Sequence, residues 1–181
     1  MSTIEQPVQV DGDKLMQFVF RAVDEVGATL NAALVVMGDK NGWYRALAGT
    51  GGLSPAELAD RTGAAERYVR EWLNAQAAGG FVTYDAATAR FTLPDEQALA
   101  LAVEDSPAYL PGAYQIIAAV LKDEPRITEA FRTGAGVGWH EHCADLFQEI
   151  FASRRQLHAS VIARKQRDSD FAFKVADLLS Q

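Results

Sequence analysis

Residues 53–93 read LSPAELADRTGAAERYVREWLNAQAAGGFVTYDAATARFTL, and this stretch decides the fold. The run Ser54-Pro55-Ala56-Glu57 places a capping serine, a proline and a glutamate where a helix begins. The helix should end near Thr62-Gly63, because glycine accepts the left-handed turn that follows many helices. A second helix is predicted from about Ala64 to Ala78, where apolar residues recur every three or four positions, and Gly79-Gly80 ends it.

A β-hairpin is predicted after the second helix. Residues 81–84 (FVTY) and 90–93 (RFTL) alternate as strands do, and residues 85–89 form the loop between them. Two helices joined by a turn and followed by a hairpin define a winged helix-turn-helix. The predicted fold class is therefore mainly α, with a short β-hairpin wing.

The composition restricts the function. The chain has 181 residues, a formal net charge of −7 and a 49% share of hydrophobic residues, which suits one domain with arms. The negative charge disfavours nucleic acid and anionic membranes as partners. The one cysteine, Cys143, excludes an internal disulfide and indicates a reducing compartment. No signal peptide or membrane-length apolar stretch is visible, so a cytoplasmic location is expected.

The charges of the winged stretch argue against DNA binding. The candidate DNA contacts are Arg67, Arg70 and Arg90, but Glu66 and Glu71 lie among them. A DNA-binding surface needs a clear positive excess, because phosphate contacts dominate its affinity. We therefore expect the fold to serve packing and dimerisation, with a DNA-binding regulator as the alternative.

A long helix is predicted before the winged stretch. Residues 1–12 are polar and are expected to form a flexible arm, and residues 13–37 carry a helical apolar stripe that Gly38 closes. A helix of about 25 residues is nearly 40 Å long, which exceeds what a small winged core can cover. The sequence therefore predicts a homodimer through the 13–37 helix. The alternative is that later helices of the same chain cover the stripe.

The remaining residues are predicted to be helical. Residues 13–104 are assigned to a winged-helix dimerisation domain and residues 105–181 to a helical extension. The expected helices span residues 42–48, 94–103, 110–121, 127–132 and 144–167, and residues 171–179 form one last apolar segment.

The glycine-rich run 134–138 invites a nucleotide-loop interpretation. Such a loop needs a buried strand before it and a helix after it. The residues before this run, Glu129 to Arg132, are helical and charged. A flexible connector is therefore the favoured interpretation, and no cofactor is expected to bind this chain.

The run His140-Glu141-His142-Cys143 suggests a metal site, but the spacing of its histidines does not match the helical zinc signature. No metal is expected. A polar wall of a substrate site is the better hypothesis, with His140 or His142 as a general base, because imidazole titrates near neutrality. Trp139, Tyr109 and Tyr114 are candidate walls of the same site. The alternative is an exposed loop anchored by Trp139, with the tyrosines in the core.

Four segments carry a resemblance to a known family. They are residues 15–47, residues 62–85, residues 91–113 and the run GVGWHEH at residues 136–142. Together they closely resemble winged-helix, class I S-adenosylmethionine-dependent methyltransferases, some of which are described as transcriptional regulators. The resemblance implies a dimerising winged-helix half that helps to cover a small-molecule substrate.

In that family a Rossmann-like domain with a glycine-rich loop binds S-adenosylmethionine. Lys174 to Asp177 resembles the first strand of that domain, but no glycine-rich loop follows it here. The resemblance therefore implies that the methyltransferase domain is absent. Three hypotheses follow: a dimerisation and substrate-capping part without methyl-transfer activity of its own, a winged-helix transcriptional regulator that binds DNA or a small ligand, and a scaffold that pairs with a full-length paralogue.

Overall fold

The computed structural model describes residues 10–142. It confirms a mainly helical fold with one two-stranded antiparallel sheet. The elements in chain order are α1 (Gly12–Lys40), α2 (Trp43–Leu47), α3 (Pro55–Thr62), α4 (Glu66–Ala78), β1 (Thr83–Asp85), β2 (Arg90–Thr92), α5 (Asp95–Leu101), α6 (Pro111–Thr133) and a 3-10 turn, Trp139–Glu141. The helix predicted for 144–167, the apolar segment 171–179 and most of the predicted arm lie outside the described residues.

Helix α3 begins and ends as its sequence predicts. The Ser54 side chain accepts a hydrogen bond from the Glu57 amide at 3.3 Å, and the Ser54 amide donates to the Glu57 carboxylate at 2.7 Å. Gly63 ends the helix with φ 67°. Helix α4 starts at Glu66, two residues later than predicted, after Ala65, whose side chain offers no cap.

The hairpin pairs Thr83 with Thr92, Tyr84 with Phe91 and Asp85 with Arg90. The first strand is shorter than the predicted 81–84, because the amides of Phe81 and Val82 both donate to the Gln76 carbonyl at the end of α4. Two backbone hydrogen bonds between Leu53 and Phe91 attach the segment that leads into α3 to the other edge of β2.

The prediction that Gly38 closes the first helix is wrong. Helix α1 continues to Lys40, and Gly38 is buried within it. A Cβ atom at this position would lie 2.4 Å from the Trp72 ring and 2.8 Å from the Tyr44 ring. The glycine is therefore needed for close packing of α1 on the winged core, and not for a turn.

The core lies where α1 to α5 meet. Its centre is an aromatic cluster in which the Trp72 ring lies 4.9 Å from Trp43 and 5.1 Å from Tyr44. The Tyr44 hydroxyl donates to Gln76 at 2.5 Å, and the Gln76 amide donates to Asn31 of α1 at 2.9 Å. Burial raises the pKa of Tyr44, so its hydroxyl stays a donor. The other buried apolar members are Val35, Leu47, Leu53, Leu58, Ala59, Val69, Leu73, Val82, Phe91, Leu93, Ala98 and Leu101.

The prediction of two separate helices at 110–121 and 127–132 is also wrong. The expected break at residues 122–125 does not occur, and one helix runs from Pro111 to Thr133 with Pro125 inside it. Proline removes one hydrogen bond from a helix interior, but the residues on both sides remain helical. Helix α6 packs against α1. No helix among the described residues is long and apolar enough to cross a membrane.

Candidate functional site

An exposed apolar stripe runs along α1. We call it the α1 stripe, and it consists of Leu15, Val19, Val23, Val26, Leu30 and Met37. At about 100° per residue, these positions fall within an arc of about 80°. The side chains of Val23, Val26 and Leu30 are 60–67% exposed. The stripe therefore presents apolar surface that residues 10–142 leave uncovered.

The α1 stripe faces away from the chain's own core. The buried residues of α1 include Ala32, Val35 and Asp39, and they lie on the opposite side of the helix. In the first half of α1 that opposite side carries charged residues, among them Arg21 and Glu25, which form an ion pair at 2.9 Å. In the first half of α1 the apolar stripe therefore continues, whereas the side that packs on the core in the second half is polar there.

Asp39 joins α1 to the residues that follow the winged unit. Its buried carboxylate accepts hydrogen bonds from the Tyr109 hydroxyl at 2.9 Å, from Gln115 of α6 at 3.1 Å and from Arg45 of α2 at 3.1 Å. Arg45 also donates to the Asp39 carbonyl at 2.8 Å. Burial, and then the bond to Asp39, raise the pKa of Tyr109. This joint fixes the start of α6 on the end of α1.

The two candidate tyrosines have different neighbours. Tyr109 takes part in the Asp39 joint, whereas the ring of Tyr114 packs edge-on against Phe81 with centroids 6.4 Å apart. The structure thus places Tyr114 beside the end of α4, in the border of the core. The position of Tyr114 is that of a residue packed against the core, whereas Tyr109 lies in a polar contact outside it.

The GVGWHEH segment follows α6 through a left-handed Gly134 with φ 72°. The Gly138 amide donates to the Glu141 carboxylate at 2.5 Å, which closes the 3-10 turn. His140 is exposed, whereas His142 turns back to α6 and places Nδ1 2.9 Å from Oδ2 of Asp123. The two histidines are therefore in unlike surroundings.

Sequence reasoning missed both buried carboxylates. Asp123 lies between Lys122 and Glu124, so the run resembles a solvated helix end. A continuous helix would have indicated its burial, because Asp123 falls on the same side of α6 as Gly112 and Ala119. No comparable sequence signal marks Asp39, whose partners are up to 76 residues away.

Two of the three candidate DNA contacts are engaged within the protein. Arg70 forms an ion pair with Glu66 one turn earlier on α4. Arg90 forms an ion pair with Glu57 at 2.8 Å and donates to the Gly52 carbonyl at 3.1 Å. Arg67 is exposed on α4. These pairs reduce the positive charge available for phosphate contacts.

The described residues do not fit a nucleotide-type cofactor. The glycine run 134–138 comes after helix α6 and not after a strand, and within the described residues it leads only into the three-residue 3-10 turn, where the Gly138 amide donates to Glu141. Within residues 10–142, no group of three or more His, Cys, Asp or Glu side chains could hold a metal ion.

The fold and its surfaces define a winged helix-turn-helix protein with a long exposed N-terminal helix. Residues 29–103 match the family model described as "Rv2258c-like winged HTH domain". This part of the chain is therefore similar to that winged domain. No curated protein matches the chain.

Solved structures of methyltransferases share the fold. "PigF with SAH" is 18% identical with a TM-score of 0.59, and the match covers 84% of this chain and 48% of that one. CalO1, a methyltransferase in calicheamicin biosynthesis solved in an SAH-bound form, is 21% identical with a TM-score of 0.57, covering 87% and 47%. An O-methyltransferase family protein from Burkholderia thailandensis is 18% identical with a TM-score of 0.57, covering 82% and 43%.

The chain spans about half the length of these solved structures. The family resemblance found in the sequence is thereby confirmed for its winged-helix half. At these identities the likeness shows the fold alone.

Proposed function

We propose that this chain forms a homodimer through the α1 stripe and serves as the dimerisation and substrate-capping part of a small-molecule methyltransferase. The observation that carries the proposal is the position of the stripe. It lies opposite the side of α1 that packs on the chain's own core, and it extends along about 33 Å of helix from Leu15 to Met37.

A second copy of the chain suits the stripe in shape and chemistry. A straight helix with one continuous apolar face pairs readily with the same face of another copy, because a two-fold axis places identical patches opposite each other. Each exposed valine or leucine that becomes fully buried contributes about 1.5–3 kcal/mol. The charged side of α1, with Arg21 and Glu25, would remain in water.

The capping role is supported by the neighbours and by the path of the chain. Two of the solved neighbours, PigF and CalO1, are bound to SAH, and the third is an O-methyltransferase family protein. In this chain the Asp39 joint fixes α6, and α6 leads directly to residues 136–142. In the proposal Trp139, His140, Glu141 and His142 face the substrate, Tyr109 helps to hold α6 in place, and S-adenosylmethionine is bound by residues outside 10–142.

Copurification of two differently tagged copies tests the pairing. We expect wild-type copies expressed together to copurify. Copies that both carry the double substitution Val23→Glu, Leu30→Glu should not copurify, because the substitution places charges in the centre of the stripe. The matched control is Leu99→Glu, which adds a charge at a leucine of α5 that is 52% exposed, and this variant should still copurify.

Unchanged copurification of the double variant would reject the α1 stripe as the interface. Wild-type copies that fail to copurify would reject the homodimer. If wild-type copies do not pair, the scaffold hypothesis predicts that a full-length paralogue binds the stripe instead. That paralogue should copurify with the wild-type chain and not with the double variant.

A further inference from the structure

The two histidines of the GVGWHEH segment differ in their partners. The side chain of His142 is 18% exposed, and that of Asp123 is 7% exposed. His142 Nδ1 and Asp123 Oδ2 are 2.9 Å apart, which is hydrogen-bond distance. The neighbouring His140 is exposed to solvent.

We infer that Asp123 is a positioning residue: it accepts a hydrogen bond from Nδ1–H of His142, fixes the ring's orientation, and makes Nε2 the ring's basic nitrogen. Of the two histidines that the sequence offered as a general base, His142 is then the oriented one. The functional meaning of this assignment rests on the proposed substrate-facing role of residues 139–142, whereas the tautomer itself does not.

The chemistry of the pair supports this direction of the hydrogen bond. A carboxylate can only accept, so the ring nitrogen that faces it must carry the proton. A buried carboxylate is costly without donors, and a charge-assisted bond to a histidine is about twice as strong as a neutral one. The tautomer of a histidine is set by the bond that its other nitrogen makes.

The surrounding acidic residues have other hydrogen bonds. The Glu141 carboxylate accepts from the Gly138 amide at 2.5 Å. Glu124, the neighbour of Asp123 on α6, accepts from the Thr128 hydroxyl at 2.5 Å. Of these three carboxylates, Asp123 is the one that lies within hydrogen-bond distance of the His142 ring.

Nitrogen-15 NMR of the histidine rings tests the inference in the full chain. The spectrum is recorded at a pH that keeps the rings neutral, and the three histidines are assigned with His140→Gln, His142→Gln and His158→Gln. We expect the Nδ1–H form to be the major tautomer of His142. Asp123→Asn should shift the tautomer ratio of His142 towards that of exposed His140, whereas the control Glu124→Gln should leave it unchanged.

A major Nε2–H tautomer of His142 in the wild-type chain would overturn the inference, and so would an unchanged ratio in a folded Asp123→Asn variant. The indole N–H signals of Trp43 and Trp72 report whether that variant is folded. If it is not, the wild-type tautomer still decides. Since the measurement involves neither dimerisation nor methyl transfer, its failure is distinguishable from failure of the proposed function.

Discussion

Gly38 lies where α1 packs against the aromatic cluster of the winged core. An alanine there would bring a methyl group within 2.4 Å of Trp72 and 2.8 Å of Tyr44. We predict that Gly38→Ala lowers the free energy of unfolding by about 1–3 kcal/mol, because the rings must move within a filled core. Urea denaturation followed by tryptophan fluorescence measures the change.

The control for Gly38→Ala is a glycine in the same helix. A Cβ atom at Gly27 would meet no atom within 4 Å. Gly27→Ala should therefore leave stability unchanged or raise it by up to about 1 kcal/mol, because alanine is the better helix former. Equal effects of the two substitutions would contradict the close approach at Gly38.

Single residues differ in how far the sequence reveals their role. Ser54, Glu57 and Gly63 act within a few positions of themselves, so their sequence context was enough to predict the ends of α3. Gly38 could not be interpreted in this way, since its reason is a ring 34 positions later in the chain, that of Trp72. Local signals describe local hydrogen bonds, and packing partners require the fold.

At the scale of elements, α3 is attached to the wing by one ion pair. Glu57 at the start of α3 accepts a bond from the Ser54 amide at 2.7 Å and forms an ion pair with Arg90 of β2 at 2.8 Å. The Ser54 amide, and then the Arg90 guanidinium, lower the pKa of Glu57. A carboxyl whose pKa is lower in the folded state adds stability above its unfolded pKa and loses it as pH falls.

We predict that Glu57→Gln reduces stability at pH 7 and that its difference from the wild type shrinks as pH falls below the ordinary glutamate pKa of about 4.3. Urea unfolding between neutral and acidic pH provides the measurement. Glu71→Gln on exposed α4 is the control and should show a smaller difference. A Glu57→Gln difference that is independent of pH would contradict the role of the charged pair.

The elements of the winged unit were predictable and those after it were less so. Periodicity and capping gave α3, α4 and the hairpin, with ends displaced by one or two residues. Pro125 was interpreted as a break, but α6 continues through it. That error also concealed Asp123, because two short helices do not align this residue with Ala119 on one buried side. The predicted substrate-facing residues 139–142 remain a prediction.

At the scale of the whole molecule, the α1 stripe is the feature on which the proposed homodimer depends. One side of α1 contributes Val35 to the winged core. The opposite side is exposed and apolar from Leu15 to Met37. Two candidate DNA contacts, Arg70 and Arg90, are held in ion pairs, and the chain's net charge is −7. These features together favour a pairing and capping module over a DNA-binding one.

The mass of the wild-type chain in solution tests this central claim most directly. Sedimentation equilibrium over a range of micromolar concentrations should give a mass of about twice the 19.7 kDa of one chain. The measured mass should fall to the mass of one chain in the Val23→Glu, Leu30→Glu variant. A wild-type mass of 19.7 kDa at every concentration would contradict the homodimer through α1.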